Sequence, residues 1–247
     1  GFQVDADDKV NTNTEKYVSW NWKESATAGF DIVQYTGTGS ATTHAHSLSA
    51  VPHFILIKQH NTGRHWSCYH HKNTSAPETE YLTPSLTSAT IDRSTDYNDT
   101  APTSSVWSVG TQDETNGSSP GGVSHIAYLW SEKQGYSKFG SYTGNANADG
   151  AFIYTGFRPA WIMVKATNTT QPWYMWDNKR EGYNGDNETL VANTTQTGGA
   201  GTYLSMLANG FKFHTADPEW NGSYNYIYMA FAEAPFVNSK GVPCNAR

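Results

Sequence analysis

Tyr17-Val18-Ser19-Trp20-Asn21-Trp22-Lys23-Glu24 is a strand that this chain writes three times. Its other copies are His125-Ile126-Ala127-Tyr128-Leu129-Trp130-Ser131-Glu132 and Tyr226-Ile227-Tyr228-Met229-Ala230-Phe231-Ala232-Glu233. Apolar residues alternate with their neighbours in each, the period of a strand with one face buried. Val18, Trp20, Trp22, Ile126, Tyr128, Trp130, Ile227, Met229 and Phe231 are therefore the expected core. Their bulk predicts a thick apolar layer between two sheets.

Working outward, the sequence before the strand repeats too. Gly1-Phe2-Gln3-Val4 leads into the first copy at the spacing with which Gly210-Phe211-Lys212-Phe213 leads into the third, an offset of 209. Val106-Trp107-Ser108-Val109-Gly110 leads into the middle copy through a slightly longer connection. Tyr35-Thr36-Gly37 matches Tyr142-Thr143-Gly144, Pro52 to Lys58 matches Pro159 to Lys165, and Trp66 matches Trp173, all at an offset of 107. The chain is thus expected to be the tail of a longer array. Residues 1–24 would be the closing hairpin of a preceding repeat, 25–133 a first β-sandwich repeat and 134–247 a second. A lone hairpin is unstable in water, so residues 1–24 are expected to pack against the first unit or a neighbouring chain, with pairing to the first unit the expectation taken forward.

Composition agrees with an all-β chain. Only 15% of residues are charged while 14% are aromatic, the profile of a turn-rich β protein held by aromatic cores. Strands are expected at Asp31 to Thr36, His53 to Lys58, His65 to His70, Ser105 to Val109, Ala151 to Thr155, Ala160 to Lys165, Pro172 to Trp176 and Phe211 to His214. The fold expected is two tandem antiparallel β-sandwiches. A net charge of −6 speaks against a nucleic-acid partner, which needs clustered Lys and Arg. No apolar run has the length of a membrane helix, so membrane insertion is not expected.

Candidate chemistry is sparse. The two cysteines, Cys68 and Cys244, form no metal-ligand spacing, and Cys68 reads as a packed thiol because Met175 replaces it in the second copy. His44 and His46 lie two apart on a strand and share a face, which offers a divalent metal site if the pair recurs around a three-fold axis; the alternative is surface histidines in a polar loop. No other cofactor is expected. Asn145 to Gly150 spaces oxygen side chains like the start of a calcium loop but carries one carboxylate, and reads as a turn. Glu24, Glu132 and Glu233 end the three equivalent strands with no recurring partner, which points to a structural role. Nucleophile elbows, phosphate loops and zinc-protease motifs are missing from the sequence, so no enzyme is expected. Unrepeated aromatics in divergent segments are the candidate sugar-stacking rings: Tyr81, Tyr97, Tyr183, Tyr203 and Trp220.

Several runs are familiar as words. Tyr17 to Lys23, Tyr35-Thr36-Gly37-Thr38-Gly39-Ser40, Pro52 to Lys58, Gly135 to Gly144, Tyr154 to Ala160 and Ala230 to Phe236 resemble the C-terminal repeats of tail and tail-fibre proteins of marine bacteriophages. The resemblance covers nearly the whole chain. It implies a virion surface protein that attaches to a host, with cell-surface glycan as ligand and a homotrimer as the assembly, and it supplies no catalytic residue. Where that family usually has a His-Gly-Leu-Gly turn, this chain has His46-Ser47-Leu48-Ser49. A purely structural fibre repeat, a secreted bacterial carbohydrate-binding module and a polysaccharide depolymerase are the rival expectations.

Overall fold

Two of the three strand copies run inside a ladder, with a partner on each side. A computed structural model describes residues 1–118, 122–180, 188–195 and 198–233. In the first unit Ser124–Trp130 lies between Phe30–Thr36 and Phe54–Gln59, and Ser67–His70 completes an antiparallel sheet. In the second unit Asn225–Phe231 lies between Ser137–Thr143 and Trp161–Ala166, and Tyr174–Asp177 and Leu190–Val191 extend the sheet. Each large sheet is faced by a small one: Thr42–Ala45 with Val106–Val109 in the first unit, and Phe152–Tyr154, Gly210–Phe213 and Leu204–Leu207 in the second. The expected antiparallel sandwiches are what the chain forms.

The strands of both large sheets are apolar on both faces, and the two faces go to different layers. Ile55, Ile57, Ala127 and Leu129 fill the first unit's own interior, and Ile162, Val164, Trp176 and Tyr228 fill the second's. Their strand neighbours Phe54, Leu56, Tyr128 and Trp130, with Trp161, Met163, Met229 and Phe231, form a third layer shared between the units. The large sheets therefore stack back to back, with the small sheets outside. This corrects the expected role of the repeated triads: Tyr128, Trp130, Ile227, Met229 and Phe231 seal the seam rather than each unit's own core.

Residues 1–24 form no hairpin. They hold one four-residue helix, Asp8–Asn11, and no ladder strand. The alternation at residues 18–22 nevertheless has a structural meaning, because Trp20 and Trp22 turn onto the shared layer. The Trp22 ring centre lies 5.4 Å from Phe231, 5.5 Å from Trp161 and 6.4 Å from Trp130. This segment thus bridges both units instead of pairing with the first.

Each unit is closed by the same clasp, built from two repeated words. The Tyr35 hydroxyl donates to the Thr115 carbonyl, and the Tyr142 hydroxyl donates to the Trp220 carbonyl (2.6 Å). Next in sequence, a Cβ on Gly37 or Gly144 would collide with the carbonyl oxygen of Gly117 or Gly222, so only glycine allows this approach. The fully buried Asn116 donates to the carbonyls of Ser40 and Gly110, each at 2.7 Å, and accepts the Thr38 N–H (2.9 Å). Asn221, equally buried, donates to the carbonyls of Asn147 and Thr215 and accepts the Asn145 N–H (3.2 Å). Buried amides satisfied this fully fix a loop in one arrangement. The recurrence of Asn-Gly-Ser at 116–118 and 221–223 is the sequence trace of this clasp.

Candidate functional site

The expected ring candidates do not form a site. Tyr97 (2% exposed), Tyr81 and Trp220 (3% exposed) are buried, and a ring face inside a core is closed to a sugar. Arg93 covers the Tyr81 ring at 4.0 Å, Tyr97 packs on Tyr69 at 5.6 Å, and Trp220 packs against Tyr174, Trp176 and Tyr203. Tyr203 is half-buried, with its hydroxyl donating to the Ala200 carbonyl at 3.3 Å. Tyr183 and Cys244 lie outside the described residues.

The histidine pair shares a face as expected, but that face points inward. His44 packs 4.0 Å from Tyr35, and the ring nitrogens of His46 sit 3.2 Å from the Thr103 carbonyl and 3.3 Å from the Leu48 N–H that they accept. Among the described residues no three His, Cys, Asp or Glu side chains gather as a metal group. The 107-residue offset sets Ala151 and Ile153 against His44 and His46, but in the ladders His44 faces Trp107 as Ile153 faces Phe211. Cys68 is buried in the shared layer, and burial raises its thiol pKa well above the ordinary value. Asp149 of the Asn145 to Gly150 turn is bound by Lys212 at 2.5 Å. Glu132 pairs with Lys138 at 2.7 Å and Glu233 with Lys179, consistent with structural ends of strands.

An open polar cleft of about 560 Å³ lies where the two units meet. Asn73, Glu80, Thr90 and Asp92 form its wall from the first unit, and Thr167, Asn168 and Asn225 its wall from the second. Local bonds hold each side. The Thr90 hydroxyl donates to Asn73 (2.7 Å), the Asn73 amide donates to Glu80 (3.4 Å), and the Thr74 hydroxyl donates to the same carboxylate (2.5 Å). Across the seam the Thr90 N–H donates to the Thr167 carbonyl at 2.8 Å; within the second unit Asn168 accepts the Asn225 N–H at 3.0 Å. A second opening of about 410 Å³ shares Asn73 and Asn225 and adds Lys72.

Glu80 and Asp92 face each other directly in a two-residue ladder. Like charges so placed repel, and no basic side chain bonds to either among the described residues. Glu80 Oε2 is taken by Asn73 and Thr74, which leaves Glu80 Oε1 and the Asp92 carboxylate to meet donors from outside. Amides, hydroxyls and free carboxylates together can bind a polyhydroxylated molecule, because each hydroxyl both donates and accepts. This region went unread in the sequence, where its traces are the two Asn-x-Ser/Thr triplets at Asn73 and Asn168. Such triplets also mark Asn116 and Asn221, whose complete burial closes them to any modification in the folded chain.

No helix among the described residues is long and apolar enough to cross a membrane. No curated protein and no solved structure matches the chain. One family model does, over residues 1–235, and the chain accordingly belongs to the family described as "Domain of unknown function (DUF7483)".

Proposed function

We propose that this chain is a surface module of a phage tail or tail fibre that attaches the virion to host glycan, which it binds in the cleft between its two units. The observation that carries this reading is the cleft's wall of amides, hydroxyls and two carboxylates without basic partners. The resemblance of its repeated words to marine phage tail proteins supports the virion setting, in which a homotrimer would multiply weak sites through avidity. In a binding assay against host cells and purified lipopolysaccharide, Asp92→Ala and Asn168→Ala should each weaken attachment by about tenfold. Unchanged attachment by both variants, or none by the parent chain at micromolar concentration, removes the reading in favour of a purely structural repeat. Sedimentation of the intact chain tests the trimer.

The opposed carboxylates also favour a second reading, cleavage of the polysaccharide. Residues directly opposite in an antiparallel ladder hold their Cβ atoms about 5 Å apart, close enough for two carboxylates to flank one glycosidic bond. Asp92 is exposed and Glu80 half-buried, however, short of the water-excluded pocket in which an acid catalyst works. Release of reducing ends from host polysaccharide, abolished by Glu80→Gln, would replace attachment alone with depolymerisation.

A further inference from the structure

The outer face of the second unit's small sheet carries two bare aromatic rings. Phe152 is 46% exposed and Tyr154 62%, while Ile153 between them is buried in the core. The rings share one strand face, two residues and about 7 Å apart along the strand. The fold does not require them. Matching His44 opposite Trp107 with Ile153 opposite Phe211 puts Thr43 and Ala45 at the same places in the first unit.

The rings are also seated. A Cβ on Gly210, across the ladder, would collide with the Ile153 carbonyl oxygen and meet the Phe152 ring at 2.8 Å, so glycine there admits both the close strand approach and the ring lying on it. Beside Tyr154 opens a cavity of about 240 Å³ lined by Glu132, Gln134, Ser137 and Lys138. The charged groups along the rim neutralise one another: Lys138 pairs with Glu132 (2.7 Å) and Lys212 with Asp149 (2.5 Å). Ser205 and His214 complete that side with a 2.7 Å hydrogen bond.

Ring faces with a polar, charge-balanced rim select a ligand with an apolar face and hydroxyl edges. A charged polymer would need an unbalanced rim. A protein partner would need about 800 Å² on each side, several times what two rings offer. A pyranose meets the requirement, since its C–H face stacks on a ring while its hydroxyls reach Gln134 and the paired charges.

We infer that Phe152 and Tyr154 form a second glycan subsite, one that stacks a neutral pyranose chain. The inference rests on the glycan reading above but uses a different surface, so the two can fail separately. Native electrophoresis of the full chain through gels containing dissolved dextran, laminarin or alginate tests both. At least one neutral polysaccharide should retard the chain, and Tyr154→Ala and Phe152→Ala should each weaken that by about tenfold. Tyr17→Ala, which removes a comparably exposed ring in the N-terminal segment, should change nothing. Near-ultraviolet circular dichroism confirms that each variant is folded. Retardation kept by both ring variants but lost in Asp92→Ala overturns the stacking subsite and leaves the cleft. Loss in Tyr154→Ala with Asp92→Ala unaffected supports the subsite alone. Retardation by alginate only, or by none of the three, overturns the inference.

Discussion

On the first unit's inner strands Tyr35 stacks on His125, ring centres 5.1 Å apart and planes 12° from parallel. At the same place in the second unit Tyr142 stacks on Tyr226 at 4.9 Å and 9°. The frame keeps the geometry and lets the chemistry change. The same contrast is sharper at the seam, where His53, His70 and His71 of the first unit stand at the positions of Ala160, Asp177 and Asn178. His70 and His71 use ring nitrogens to contact the carbonyls of Tyr228 (3.2 Å) and Phe139 (2.8 Å) across the seam. The units are therefore closed alike and joined unequally, and the difference can be measured.

The largest effect should fall on what the units share. Asn116→Ala and Asn221→Ala each remove a buried amide that ties several loop carbonyls and N–H groups together, at a cost of about 3 kcal/mol. Urea unfolding should give the two variants similar losses. A cost below about 1 kcal/mol for either would show that the clasps are not equivalent.

Acid should separate the units next. Burial is the main cause that lowers the His70 pKa to about 3 and the His71 pKa to about 4, and it lowers His53 as well; Glu132 opposes the shift at His53 and His71, while Lys72 deepens it at all three and Lys138 at His53. The unfolded rings titrate near 6.5, so the unfolded chain binds more protons below that pH. This contribution to stability is complete above pH 6.5 and is lost as pH falls towards 4. At 1.36 kcal/mol per unit, His70 alone accounts for about 3 kcal/mol over that range. Denaturation midpoints from pH 7 to 4 should fall steeply, and His70→Asn should flatten the fall; an unchanged slope breaks the assignment.

A smaller effect of the same sign, in a higher pH window, belongs to Lys165, whose counterpart Lys58 reaches the surface. Lys165 is wholly buried, donates to the carbonyls of Ala166 (2.8 Å) and Thr87 (3.2 Å), and has its pKa lowered by burial to about 8. The unfolded chain holds this proton up to about pH 10.4, so stability should rise between pH 8 and 10. Lys165→Met should stabilise the chain at pH 7 by about 1–2 kcal/mol, because Gln171 still donates to the Thr87 carbonyl. Lys58→Met should not, and calorimetry of the pair decides it. The smallest change is expected from Glu233→Gln: its pair with Lys179 is over half exposed, and the thermal midpoint should reflect no more than about 0.5 kcal/mol.

Much of the fold could be read in the chain. The 107-residue register located matching strands in both units, and the shift from Ser105–Val109 to the observed Val106–Val109 is typical of how closely the rest fall. The layer order could not be read, because alternation identifies an apolar face without saying what covers it. Leu129 and Trp130 are both apolar, and only stacking of the sheets decides that one faces inward and the other the seam. The binding surface was harder still. Sorting rings into repeated core and unrepeated loop assumed that divergent segments stay outside, yet Tyr97 and Trp220 fold in to fill their own unit. The exposed rings Phe152 and Tyr154 lie on a regular strand instead, where nothing in the local pattern separates an outward aromatic from a packed one.

The paired clasp also sets how the molecule ages. In an unfolded chain Asn-Gly is the dipeptide most prone to deamidation, because the glycine nitrogen attacks the asparagine carboxamide, expels ammonia and forms a cyclic imide. At Asn116-Gly117 the carboxamide is tied to two carbonyls and the glycine N–H donates to the Asp113 carbonyl at 3.2 Å; at Asn221-Gly222 the glycine N–H donates to the Tyr226 hydroxyl at 2.9 Å. Both reacting groups are held while the clasps stay shut. Asn209, exposed before Gly210, makes no side-chain hydrogen bond among the described residues and serves as the reference clock. Isoaspartate at 116 or 221 would thus be a chemical record of how often each unit has opened.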